Sequence, residues 1–158
     1  MKICLFPGTF DPITYGHTDV IDRALDLFDK LVIGIGYNSN KQPMFPLEER
    51  MQWIREHYKN DPRVEVASYT GLTIDFCRKI KARFILRGIR GVGDFEYEKA
   101  IADVNRTIDP SVETFFLTCS PMYASIASTL VRDIYRHGGE VNAFVPPAVL
   151  EGMNRLKK

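Results

Sequence analysis

Cysteine is scarce in this sequence and scattered: Cys4, Cys77 and Cys119 stand far apart, with no Cys-x-x-Cys pair. An odd, widely spaced set argues against a disulfide framework or a thiolate zinc site, and it fits a reducing, cytoplasmic compartment. The three thiols read as small packing residues. Long apolar runs are missing too. Lys2 is followed by only four apolar residues before Pro7-Gly8, too few for a secretory signal. No stretch approaches the roughly 18 residues that cross a bilayer, so no membrane partner is expected. Neither sign of charge dominates. The net charge is +1, which excludes a whole-surface polyanion partner such as nucleic acid and makes any anion site local. Two nucleotide motifs are also lacking, GxxxxGK[ST] anywhere and GxGxxG after the first apolar run.

What is present is regular alternation. The 158 residues suffice for one domain, 1–158, with a real core. Apolar runs at 2–6, 30–37, 63–69, 83–88 and 112–118 read as strands. Helical patterns separate them. Residues 17–28 place Val20, Ile21, Ala24, Leu25 and Phe28 on one face; 47–58 groups Met51, Ile54 and Tyr58; 74–80 is short. A long helix opened by Asp94 repeats Tyr97, Ile101, Val104 and Ile108. A helix over 128–136 stops at His137-Gly138-Gly139, and a last one starts at Pro146-Pro147. The alternation predicts an α/β fold: a single-domain, doubly wound, parallel five-stranded sheet. Runs 32–35 and 84–86 are apolar on both parities, as expected where helices cover both faces.

Ligands of such sheets bind beyond the carboxyl ends of the strands. The four loops there are rich in phosphate-binding groups: Thr9 and His17; Lys41; Arg87 and Arg90 among Gly88, Gly91 and Gly93; and Ser125, Ser128 and Thr129 at a helix start. Glycines admit an anion close to the backbone, helix N-termini offer N–H groups, and arginines fork onto phosphate. Each signal has a plain alternative, such as a surface histidine, a solvated lysine or a helix cap worth about 1 kcal/mol. Their joint placement predicts a polyanion site. Asp11 reads as a turn residue, with a role near Lys41 or a metal ion as the alternative, and Asp94 as the N-cap of its helix. Phe95, Tyr97 and Tyr123 read as packing residues that line the site.

The stretch Thr14-Tyr15-Gly16-His17 resembles the (H/T)xGH signature of the nucleotidyltransferase superfamily, and Ile126-Ala127-Ser128-Thr129-Leu130-Val131-Arg132 resembles its ISSTxxR signature. PGTFDPIT, KQPMFPLEER, RGIRGVGDFEYE and SIASTLVRD together resemble the bacterial phosphopantetheine adenylyltransferases over nearly the whole chain. The resemblance implies a Rossmann-like nucleotidyltransferase fold and a reaction of ATP with 4′-phosphopantetheine, with Mg²⁺, to give dephospho-coenzyme A and pyrophosphate. It implies a homohexamer and feedback inhibition by coenzyme A. By the same resemblance His17 stabilises the transition state, while Thr9, Phe10, His17, Gly88, Ile89, Arg90 and Glu98 bind ATP. The segment Tyr123, Ala124, Ser125, Ile126, Ala127, Ser128 and Thr129 closes over the nucleotide. Thr9, Lys41, Thr73 and Arg87 bind phosphopantetheine. Ala127 departs from the usual serine and removes one hydroxyl.

The residues suit that chemistry. A phosphomonoester is mostly a dianion at pH 7, so the acceptor needs no general base. No Ser-His-Asp or Cys-His pairing is evident, and positioning plus electrostatics remain as the task. His17 at a helix start is expected to be neutral and to donate a hydrogen bond. Sister enzymes acting on nicotinate mononucleotide or using CTP fit the two signatures as well, and a nucleotide-sensing module is a third reading.

Overall fold

A computed structural model describes residues 1–38 and 40–157. Five strands, β1 (Ile3–Gly8), β2 (Lys30–Gly36), β3 (Val64–Tyr69), β4 (Phe84–Ile89) and β5 (Glu113–Thr118), form one parallel sheet in the order β3-β2-β1-β4-β5. Six helices accompany them: α1 (Tyr15–Ala24), α2 (Leu47–His57), α3 (Thr73–Ile80), α4 (Val92–Ile108), α5 (Ser128–Arg136) and α6 (Pro147–Leu156).

Strand alternation divides the core in two. Cys4, Phe6, Leu31, Ile33, Ile35 and Leu86 pack on one face with residues of α1, α2, α5 and α6. Leu5, Val32 and Ile85 point the other way, onto Ile74, Phe76 and Cys77 of α3. The doubly apolar strands therefore reflect helices on both faces. On the first face Trp53 is 2% exposed and lies against Gly152 of α6, where a Cβ would come 1.9 Å from the indole Nε1.

The strand order reverses between β1 and β4, and the two strands separate there. Their register covers only Cys4↔Phe84 and Leu5↔Ile85, whereas β1 and β2 stay paired from Ile3↔Lys30 to Gly8↔Ile35. A cleft opens at the carboxyl end of the sheet, where open parallel sheets bind ligands.

Three local expectations are corrected. The first helix starts at Tyr15, not His17, because Thr14 is extended and its carbonyl already accepts the N–H of Thr18. It ends at Ala24, and Phe28 reaches the core from just beyond the turn at 25–27. Gly91, not Asp94, is the N-cap of α4, while the Asp94 carboxylate in the first turn accepts the Arg90 N–H at 2.9 Å. The apolar stripe of α4 has helical spacing but faces outward: Tyr97 is 69% and Val104 58% exposed, and the one buried residue of that helix is Glu98.

Candidate active site

β1 runs into a loop, residues 9–14, held by side chains from three directions. The Thr9 carbonyl accepts from Arg50 Nη1 at 2.6 Å, that of Asp11 from Arg132 Nη1 at 2.8 Å, and that of Pro12 from Ser128 Oγ at 2.9 Å. The Asp11 carboxylate, 4% exposed, takes the main-chain N–H groups of Met44 (2.8 Å) and Phe45 (2.9 Å). Asp11 is thus neither a simple turn cap nor a spare metal ligand; it ties the loop to the segment entering α2.

Between these anchors Phe10 has φ +48°, a left-handed conformation that disfavours a Cβ by roughly 1–2 kcal/mol. Its ring lies over Gly8, where a Cβ would meet it at 3.0 Å, and presents an edge to His17 with centroids 5.0 Å apart.

His17 is the third residue of α1. Its Nδ1 accepts the Thr14 N–H at 3.0 Å and lies 3.1 Å from Thr14 Oγ1. An accepting Nδ1 assigns the proton to Nε2 in the neutral ring. Burial, then the charges of Arg87 and Arg90, lower the imidazole from 6.5 to about 4. The ring is therefore neutral at pH 7 and has Nε2–H for a ligand, with burial as the leading cause.

The cleft has two lobes. One, of about 310 Å³, is walled by Thr9, Phe10 and His17 on one side, Gly88 and Arg90 on another, and Ile126, Ala127, Ser128 and Thr129 at the start of α5. The other, of about 290 Å³, gathers Thr9, Lys41, Thr73 and Arg87 with the apolar side chains of Ile85, Ile101 and Ala102. Arg87 and Glu98 belong to both. Glu98, 8% exposed, accepts from Arg87 Nε at 2.7 Å and Nη2 at 2.6 Å, and Arg87 Nη1 also donates to the Pro7 carbonyl. The Thr73 hydroxyl is 3.0 Å from that of Tyr69. A third recess, about 460 Å³, adjoins Thr9 and carries Lys41, Arg132 and Arg136.

Of the seventeen sequence-predicted positions, the structure places thirteen on the walls of the two lobes and leaves four outside them. Ile89 is buried in its strand and does not wall the nucleotide-facing lobe, nor do Tyr123, Ala124 and Ser125. Tyr123 ends a 3₁₀ turn and stacks on Tyr15 with centroids 6.1 Å apart. Gly16 walls the lobe, and a Cβ there would meet the Ile126 carbonyl at 3.4 Å and the Tyr123 carbonyl at 3.7 Å. Ala127 is the N-cap of α5, so that helix starts without a side-chain cap, and the Ser128 hydroxyl serves Pro12.

Sequence reasoning missed Thr14, Arg50 and Arg132 as supports. Arg50 carried a signal: it falls on the same helical face as Leu47, Met51 and Ile54, a charge within an apolar stripe. A protein-held metal does not fit. Asp11 and Glu98 are engaged as described, Asp94 holds the Arg90 N–H, and among the described residues no three His, Cys, Asp or Glu side chains gather.

Comparison with known proteins agrees with this architecture. The cytidylyltransferase-like family model matches residues 5–134. The chain is 52% identical over 158 residues, all of both chains, to a phosphopantetheine adenylyltransferase of Flavobacterium johnsoniae. It is 48% identical to one of Bacteroides fragilis, covering 92% of this chain and 97% of that one. A solved chain from Vibrio parahaemolyticus, described as a nicotinate-nucleotide adenylyltransferase, shares the fold with a TM-score of 0.74 at 21% identity, over 98% of this chain and 99% of that one. A cleft between splayed parallel strands, a neutral histidine at its helix mouth and full-length similarity at this level agree: the chain belongs to the cytidylyltransferase-like nucleotidyltransferases and, among them, to the phosphopantetheine adenylyltransferase family.

Proposed function

We propose that the chain transfers the adenylyl group of ATP to 4′-phosphopantetheine, giving dephospho-coenzyme A and pyrophosphate. The carrying observation is the neutral His17, its Nδ1 fixed by Thr14, in a lobe that shares Thr9, Arg87 and Glu98 with a second, partly apolar lobe. ATP occupies the lobe of His17, Gly88, Arg90 and the start of α5. Its contacts include Thr9, Phe10 and Glu98, with Ile126 to Thr129 along one wall. Phosphopantetheine occupies the lobe of Lys41, Thr73 and Arg87, with its pantetheine arm along Ile85, Ile101 and Ala102.

Attack is direct and in line. A phosphate oxygen of the acceptor bonds to the α-phosphorus, the bond from the α-phosphorus to the α,β-bridging oxygen breaks, and pyrophosphate leaves with the electron pair. No enzyme nucleophile takes part and no covalent intermediate forms. The acceptor is already a dianion at pH 7, so no base is needed. His17 Nε2–H donates to an α-phosphate oxygen as charge grows there, and Lys41, Arg87 and Arg90 reduce the repulsion between two polyanions. Mg²⁺, when bound, would be held by the ATP phosphates rather than by protein side chains and would supply neutralisation of their charge.

Coenzyme A carries both an adenosine and a pantetheine arm and so competes across both lobes. The outward side chains of Tyr97, Val104 and Ile108, with Phe115 on β5, support assembly into a homohexamer. Three unpaired thiols support a cytoplasmic location.

The test is pyrophosphate release. Release that requires both ATP and 4′-phosphopantetheine supports the reading. Release with CTP, or with nicotinate mononucleotide as acceptor and not phosphopantetheine, overturns it.

A further inference from the structure

We propose that Arg50 is a positioning residue for adenylyl transfer, aligning the 9–14 loop with the 41–45 segment from behind the cleft. The proposal rests on the adenylyl-transfer reading above. Arg50 is 3% exposed and walls neither lobe, so it acts through other groups. Its guanidinium bridges the two segments: Nη1 donates to the Thr9 carbonyl at 2.6 Å and Nε to the Phe45 carbonyl at 2.9 Å. Asp11 crosses the same gap in the opposite sense, its carboxylate accepting the Met44 and Phe45 N–H groups. Its charge favours the guanidinium that burial opposes. A basic side chain from α2 and an acidic one from the 9–14 loop thus lock a single register between the two segments.

Two parts of the reaction centre hang on that register. On one side is Phe10, held left-handed between Thr9 and Asp11, with its ring edge against His17. On the other is Lys41, four residues before Phe45, reaching the acceptor lobe. The first sets the surroundings of the group facing the α-phosphate, and the second sets the acceptor. A planar fork that serves two carbonyls at once is what lysine cannot reproduce. Misplacement by about 1 Å far from the chemistry can lower a rate by about 100-fold.

The full-length chain carries the test, as Arg50→Lys and Arg50→Gln, with ATP and 4′-phosphopantetheine. Val112→Ala, which thins the core on the opposite face of the sheet and walls neither lobe, is the control for lost stability alone. In both Arg50 variants kcat is expected to fall by about 30-fold or more while KM for ATP changes by less than about threefold. The His17 titration, followed by NMR, is expected to move from about 4 toward 6.5 as Phe10 loosens. The control keeps both values. Folded Arg50 variants that keep wild-type kcat and the His17 titration overturn the proposal, as does a fall in kcat that only tracks the folded fraction. Should one variant not fold, the other decides. If the wild type releases no pyrophosphate, the adenylyl-transfer reading fails, and the His17 titration still decides whether Arg50 orders the loop.

Discussion

The two lobes of the cleft are built in different ways. The His17 lobe is made of main chain under restraint: carbonyls of Thr9, Asp11 and Pro12 are each held by a side chain from α2 or α5, and the imidazole itself is pinned by Thr14. The Lys41 lobe is made largely of side chains reaching in, an exposed lysine among them, with apolar walls contributed by β4 and α4. Arg87, clamped by Glu98, is the one strong cation common to both. The difference suits the division of labour. A donor that stabilises developing charge must be in place before the reaction, whereas an acceptor can be gathered by longer arms and still be held in line.

Substitutions separate the lobes, beginning with the largest effect. His17→Ala is expected to lower kcat by about a thousandfold, the loss of one preorganised donor, with the melting temperature little changed; pyrophosphate release and thermal unfolding measure the two. Lys41→Ala falls on the other lobe. It is expected to raise KM for 4′-phosphopantetheine by about 10- to 100-fold, as for a lost hydrogen bond to a charged group, with KM for ATP nearly constant. Steady-state kinetics varying each substrate would expose a shared role if both constants rose. Gly152→Ala touches neither lobe. Overpacking against Trp53 is expected to destabilise the fold by about 1–3 kcal/mol, read as a lowered denaturation midpoint.

The smallest effect is on pH. The native His17 ionises at about 4 against 6.5 when unfolded. Below 6.5 the unfolded chain binds the proton first, so this stabilising contribution is full above 6.5 and declines as pH falls from 6.5 to about 4. Over pH 6 to 8, kcat/KM is expected to show no ionisation from this residue; NMR titration of the imidazole checks the value directly.

The strands and their parallel order of appearance were legible because buried strands leave unbroken apolar runs, and the loops that matter were legible because they follow those runs. The start of α1 was not. A capping box is read from Ser or Thr with Glu or Gln three residues on, and here the acceptor three residues after Thr14 is an imidazole. Periodicity found the stripe of α4 without saying what it faces. It grouped Met51 with Ile54 but left Arg50 unremarked, because "LEER" reads as an exposed charged turn until the helix is wound. Lys41, Thr73 and Arg87 come from three different elements, and only the strand order makes them neighbours.

The early parting of β1 from β4 has a consequence for Pro7. In an extended strand the nitrogen and carbonyl of one residue face the same side, and the Pro7 carbonyl faces Arg87 across the gap. Its nitrogen therefore looks into the opening as well. A central strand ordinarily excludes proline because a ladder hydrogen bond is lost, yet on this side the ladder has already ended at Leu5↔Ile85. Any other residue at position 7 would set an unmatched N–H at the floor of a cleft meant for two phosphorylated ligands. Proline leaves that floor with acceptors alone, one of them covered by Arg87, so the donors that meet the ligands are those carried by the surrounding loops and helix ends.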